Sequence, residues 1–196
     1  VSDSSTGGYL APALSPGPLE DDALDDFIQE FVVGITALDG QYVRPRWQPE
    51  PPNLPPEDVN WAAVGIASRE GDTYSVELHD PAGDGADIVI RHETLNILAT
   101  FYGPASQAMA AKLRDGLGLA QNREPLFAQN MGLVSVGQLS RGPELVKNKW
   151  LPKVDLPFAI RREIRRCYPV LNLMSGQITL QADAGLDPIT VTPTAP

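Results

Sequence analysis

Apolar and polar residues alternate through Asp87–Tyr102. Val89, Leu95, Ile97, Ala99 and Phe101 fall on one parity, and His92, Thr94 and Asn96 on the other. A period of two predicts a long strand with one buried face. The strand stops at Gly103-Pro104. Ala105, Ala108, Met109, Lys112, Leu113 and Leu117 then recur at helical spacing, which predicts a helix over 104–117. Pro104 suits its first turn, where a missing N–H costs nothing, and Gly116 and Gly118 suit its end. No nucleophile, acid pair or ligand cluster interrupts this stretch, which favours assembly over catalysis.

The same reading extends along the chain. Leu24, Phe27, Ile28, Phe31, Val32, Ile35 and Leu38 form one stripe, predicting a helix over 21–38 closed by Asp39-Gly40. Asp21, Asp22, Asp25 and Asp26 sit near its start, where the helix dipole favours carboxylates. Gly34 is a mild cost there or a point of close packing. Residues 43–48 read as extended, and 49–56 as a polyproline-like excursion. Strands are expected over 59–68 and 73–79, joined by a Glu70-Gly71-Asp72 hairpin turn. With the 80–86 turn and the long strand they suggest an antiparallel meander. A short helix is expected over 123–129, a strand over 131–139, and further pairing at Leu145-Val146. In 150–166, Val154, Leu156, Phe158, Ile160 and Ile164 share one parity, so another strand is expected. Pro157 lacks a donor and points to an edge or a bulge. Gln177–Leu180 reads as a final strand.

Composition narrows the function. Of 196 residues, 42% are hydrophobic and 20% charged, ordinary globular values, and roughly 160 residues remain for one core once the tails are set aside. The expected layout is a flexible arm over 1–18, one domain over 19–182 and a second arm over 183–196. Nineteen prolines imply long irregular connections. The net charge of −10 argues against wrapping duplex DNA with the whole surface. The single cysteine, Cys167, excludes an internal disulfide and suits a reducing compartment, with its thiol read as a buried or half-buried filler. Neither a membrane span nor a signal peptide is expected.

Candidate chemistry is sparse. Eight of the 15 Lys and Arg residues lie between 141 and 166, including Lys153, Arg161, Arg162, Arg165 and Arg166. Arginines can grip phosphate, but pairing with carboxylates of this chain or a neighbour is the favoured reading. Alternation sets Arg161 and Arg165 opposite Arg162 and Arg166, so the four cannot serve one ligand. The His79-Asp80…Asp84…Asp87 loop lacks the ligand spacing of a calcium site and reads as a polar turn. His79 and His92 lack zinc spacing. No phosphate-loop, dinucleotide, nucleophile-elbow or zinc-protease motif occurs. No cofactor or metal is expected. The proline-framed Arg44-Pro45-Arg46-Trp47 and Lys149-Trp150-Leu151-Pro152 segments carry large side chains suited to anchoring an interface, or to covering the domain's own core.

In order, FIQEFVVGITALDGQYVRPRWQPEPP, WAAVGI, RHETLNILATFYGPASQAMAAKLRDGLGLAQNRE, MGLVSVG, PELVKNKW and VDLPFAIRREIRRCYPVL resemble the neck or tail-terminator proteins of long-tailed bacteriophages. The likeness spans roughly residues 24–173. It implies an α+β subunit, a mostly antiparallel sheet with helices packed on one face, that forms a ring, commonly of six copies. Such a ring caps the tail tube and meets the head-side connector in the virion, after assembly in the host cytoplasm. The resemblance brings no active site, and it gives the terminal arms a role in contacts. The candidate contact residues are Arg44, Arg46, Trp47, Trp150, Arg161, Arg162, Arg165 and Arg166. Six copies would carry about −60, so arginines at the contacts would offset acidic neighbours and DNA could slide through the lumen without tight binding. Competing readings are a head-completion or connector adaptor, a hydrolase using His79, His92, Asp80 and Asp84, and a module binding a peptide through its Pro/Trp loop.

Overall fold

The computed structural model describes residues 2–13, 17–48, 53–146, 148–173, 178–180 and 189–191. Residues 49–52 of the expected polyproline run, Lys147 and most of the stretch from 183 lie outside them. The fold is α+β. The chain divides into a larger unit, 16–75 with 90–165, and a smaller one, 1–15 with 76–89 and 166–196.

The larger unit begins with α1 (Asp21–Thr36), which buries Leu24, Ile28, Phe31, Val32 and Thr36. The expected end at Leu38 comes two residues early. Ala37 turns left-handed (φ 56°), and its N–H donates to Val33 O as an αL cap. Asp39 then accepts from Gln41 N–H, fixing a short turn over Gly40–Tyr42. Next comes β1 (Val43–Pro45), which runs parallel to β2 (Trp61–Gly71). The expected hairpin at Glu70–Asp72 does not form. Instead β2 continues to Gly71, and it and β3 (Val76–Asp80) each pair with β4 (Ala86–Tyr102) rather than with one another. At 17 residues β4 is long enough to host both.

Trp61 pairs with Tyr102, Val64 with Ala99 and Gly71 with Glu93, with a bulge between Ile66 and Ser68. Gly103 follows at φ +104°, where an added Cβ would lie 2.5 Å from Val59 O; only glycine makes this corner. Helix α2 (Ser106–Leu117) starts two residues beyond Pro104, because Gly103–Ala105 forms a turn and Asn60 Oδ1 takes the Ala105 N–H at 2.7 Å. The expected short helix is α3 (Glu124–Ala128), entered through a turn at Gln121–Arg123.

Strand β5 (Met131–Val136) pairs antiparallel with a later strand, as does β6 (Ser140–Arg141). The hairpin of β7 (Glu144–Val146) and β8 (Lys149–Leu151) comes between β6 and that strand, β9 (Lys153–Tyr168). The order is β1-β2-β4-β9-β5, so β9 is interior and not an edge. Pro157 is tolerated because its partner is interrupted there: pairing stops at Val136–Phe158 and resumes at Ser140–Asp155. Leu95, Ile97, Ala99 and Phe101 of β4 join Val154, Leu156, Phe158 and Ile160 of β9 in one core with α1, α2 and α3. The helices thus cover the apolar parity of the sheet. Gly116 lets α2 approach α1; a Cβ there would lie 2.3 Å from Ile35 Cγ2.

In the smaller unit, β3 and the start of β4 flank a turn containing Gly83 (φ 64°) and Gly85 (φ 97°). Backbone bonds from Ser4 N–H to Pro169 O and from Ala13 N–H to Cys167 O tie residues near the N-terminus to the end of β9 and beyond. Cys167 is exposed, not a buried filler, since it shares the outward parity of β9 with Arg161 and Arg165. β10 (Ile178–Leu180) is not the last strand; it pairs antiparallel with β11 (Ile189–Val191).

Candidate interface surfaces

The first candidate segment follows β1. The Arg46 N–H donates to Val64 O at 2.8 Å, and Gly65 makes room for this approach, because a Cβ there would lie 2.9 Å from Arg46 Cβ. Arg46 Nη1 donates to Thr100 Oγ1 at 2.8 Å, and the Thr100 hydroxyl donates to Asp155 Oδ1 at 2.6 Å. A polar relay from β4 to β9 therefore fixes the arginine. Its guanidinium lies 5.6 Å from the Trp47 ring centroid, a cation–π contact that orients an indole 67% exposed. Arg44 works locally, donating through Nε to Gln41 O and through Nη1 to Asn53 O at 2.8 Å. It thereby ties the turn at Gly40–Tyr42 to Asn53.

Trp150 lies on β8, opposite Leu145 of β7, and is 68% exposed. Beside it a cleft of about 600 Å³ is lined by Leu54, Pro55, Pro56, Trp150 and Leu151. Lys149 Nζ reaches Glu57 at 3.0 Å across the same cleft. Neither tryptophan covers the core. That task falls to Trp61, buried and stacked on Tyr102 at 4.1 Å between centroids. Burial, then the neighbouring Glu144 carboxylate, pushes the Tyr102 phenol up to about 12.

The basic run divides by parity as expected, and its members differ in what they touch. Arg161 makes a two-pronged bond to Asp72, 3.0 and 2.9 Å, and Arg165 pairs with Glu163. His92 stands between those acids on the exposed side, 3.8 Å from Asp72 and 3.5 Å from Glu163. Arg162 is only 2% exposed. Its guanidinium bonds Glu93 at 2.7 Å, Glu20 at 3.0 Å and the Leu19 carbonyl. Arg69 also bonds Glu20, at 2.9 Å. Burial opposes ionisation of Glu20, but the bonds from Arg162 and Arg69 outweigh it and hold the carboxyl below its usual range. Arg166 is half-buried.

In the acidic loop, Asp80 accepts from Ala82 N–H, a turn-forming bond, and His79 bonds Asp87 and Asn172. Among the described residues, no group of three His, Cys, Asp or Glu side chains could hold a metal ion. No described helix is long and apolar enough to cross a membrane. Sequence reasoning missed Glu20, Arg69, Asp72 and Glu93 as partners of the arginines. No local signal marks them, since they lie 69 or more positions from the arginine of β9 that each one bonds, or in Arg69's case from Arg162, with which it shares Glu20.

The described surfaces thus present large apolar side chains on a framework braced by ion pairs. The family model of the phage neck terminator protein matches residues 22–183, and the chain belongs to that family. No curated protein matches. The chain is thus a structural component of a phage neck, and membership in the family implies contact with other head or tail proteins of the virion.

Proposed function

We propose that the chain forms a closed ring, commonly of six copies, that caps the tail tube and receives the head-side connector. The observation that carries this reading is the pair of exposed indoles, Trp47 oriented by Arg46 just beyond β1 and Trp150 held on β8, each about two thirds exposed among the described residues. Tryptophan is one of the side-chain types most enriched among the anchors of subunit contacts. Arg44, Arg46, Arg161, Arg165 and Arg166 belong to the rim of the contacts in this proposal. Arg162 braces the subunit from inside. The terminal stretches, 1–18 and 183–196, act as contact arms flanking the domain over 19–182.

The overall acidity supports a lumen through which DNA slides without tight binding. A role on the tail tube predicts sixfold symmetry, whereas an adaptor seated on the portal would follow the portal's symmetry. Particles assembled without this chain should show overlong tails or tails unjoined to heads by electron microscopy. Tails of normal length that join heads would overturn the proposal. Mass photometry of the purified chain should show either a monomer or one discrete ring, and a continuous ladder of sizes would contradict closure.

A further inference from the structure

We propose that His79 is a proton-dependent pin: its imidazolium form fastens the chain that follows β9 to the turn between β3 and β4.

His79 Nδ1 lies 2.7 Å from Asp87 Oδ1, and His79 Nε2 lies 2.8 Å from Asn172 Oδ1. The orientation of the Asn172 amide is fixed independently of the histidine. Its Nδ2 donates to Pro81 O at 3.0 Å and to Gly83 O at 3.1 Å, and carbonyl oxygens only accept. Asn172 Oδ1 must therefore face the ring. Both ring nitrogens confront acceptors, so both must carry hydrogen. A neutral imidazole carries only one, so one of the two contacts would become a lone-pair repulsion.

The surroundings are built for this contact. Asn172 N–H donates to Asp84 O at 2.8 Å, so one asparagine makes four bonds to the β3–β4 hairpin, ring contact included. Gly85, at φ +97°, leaves the space that the segment enters; a Cβ there would lie 2.7 Å from Asn172 N, Asn172 Oδ1 and Val170 O. The charged groups acting on the ring are Asp87 from β4 and Asp80 at the end of β3, both anionic, while Asn172 is neutral. The bonds to Asp87 and then to Asn172 hold the histidine above its ordinary value against a small opposing effect of burial. The ring is 43% exposed, so solvent can exchange its proton.

The pH dependence has a definite sign. A folded pKa above the unfolded one gives attachment that is complete at pH values below the unfolded pKa. It is lost as pH rises through the folded value. The chain beyond Asn172 is thereby coupled to pH through one side chain, whether or not the neck assignment holds.

The test uses the full-length chain with His92→Gln, which leaves His79 as the sole histidine. Nitrogen-15 NMR across roughly pH 5.5 to 9 reads the ring directly. Both nitrogens should be protonated below a midpoint that lies above that of the same chain unfolded in urea. Hydrogen exchange at Asn172 N–H, corrected for intrinsic base catalysis, should speed up several-fold at the same midpoint. Asp87→Asn should lower the midpoint. A midpoint at or below the urea value, flat protection at Asn172 through the titration, or an unmoved midpoint in Asp87→Asn would each overturn the proposal.

Discussion

Arg162 of β9 and Glu93 of β4 meet at 2.7 Å across neighbouring strands, the arginine 2% and the glutamate side chain 12% exposed. Their removal is not symmetric. Guanidinium cannot give up its proton at any pH the protein meets, whereas a carboxyl left alone can take one up or reach solvent. Glu93→Ala leaves the buried guanidinium with only Glu20 and the Leu19 carbonyl as partners and should cost about 2 kcal/mol. Arg162→Met leaves Glu93 and the partly exposed Glu20, and should cost less than half as much. The double variant Arg162→Met/Glu93→Met should return close to the parent. Urea unfolding measures all three, and equal losses for the two single variants would show that the ion pair is not what holds this site.

The acid limb of stability should depend on two neighbours with opposite signs. Glu20 has a depressed folded pKa, so its contribution is present at neutral pH and disappears as pH falls through that value. Asp25 is raised, first by burial and further by Asp22, Asp26 and Asp21, against the pull of Arg69. Its ionisation weakens the fold at neutral pH, and the penalty fades on acidification. Glu20→Gln should therefore flatten the acid loss, and Asp25→Asn should stabilise at pH 7 with a gain that vanishes in acid. Thermal melts across pH separate the two, and parallel curves for both variants would exclude this account.

Alternation within β9 carried more information than composition did. Arg162 shares the parity of Ile160 and Ile164, and that parity is the buried one, so the period of the strand alone marks the arginine as an inward residue. Cys167 lies on the other parity with Arg161 and Arg165, and the general preference of cysteine for interiors misled where the local period did not. The helices and long strands were readable because each has one apolar face. The failed Glu70–Asp72 hairpin shows the limit. Turn chemistry says where a chain can bend, but pairing depends on which partner is long enough, and β4 offered both strands a place. The asparagine at 172 had no signal at all, since its role depends on carbonyls some 90 residues earlier.

Gly116 should be required by its neighbour and not by its own backbone. It lies in α2, where alanine would gain about 1 kcal/mol of helix propensity. An added methyl, however, would lie 2.3 Å from Ile35 Cγ2, a branch with little freedom to move. Gly116→Ala is expected to destabilise, and in an Ile35→Ala background the same change should become neutral or favourable. A double-mutant cycle by chemical denaturation reads the coupling, and additivity would show that the helices can separate to accept the methyl.

Gly34 is the contrasting case. Among the described residues a Cβ there meets nothing within 4 Å, so no close packing against them explains the glycine. The residue instead lines a groove with Phe27, Phe31, Ile35 and Pro125. Gly34→Ala should raise the melting stability of the dilute monomer by up to about 1 kcal/mol. A loss in the monomer would mean that the helix needs this glycine for its own sake.

Trp47 and Trp150 separate folding from assembly most cleanly. Because about two thirds of each indole faces solvent, truncation removes little intramolecular contact, and Trp47→Ala or Trp150→Ala should shift monomer stability by no more than about 0.5 kcal/mol. An aromatic anchor buried at the centre of a subunit contact contributes about 2 kcal/mol or more, roughly a thirtyfold change in affinity. Trp47 has an added dependence on Arg46, whose guanidinium sits against its ring and is itself fixed by Thr100. Thr100→Val should therefore weaken association in the same direction as Trp47→Ala, although Thr100 is fully buried and can touch no partner. Sedimentation velocity of the matched variants, each shown to melt like the parent, isolates this effect. If both tryptophan variants associate as the parent does, the indoles are not the contact, and the groove along α1 becomes the surface to mutate next.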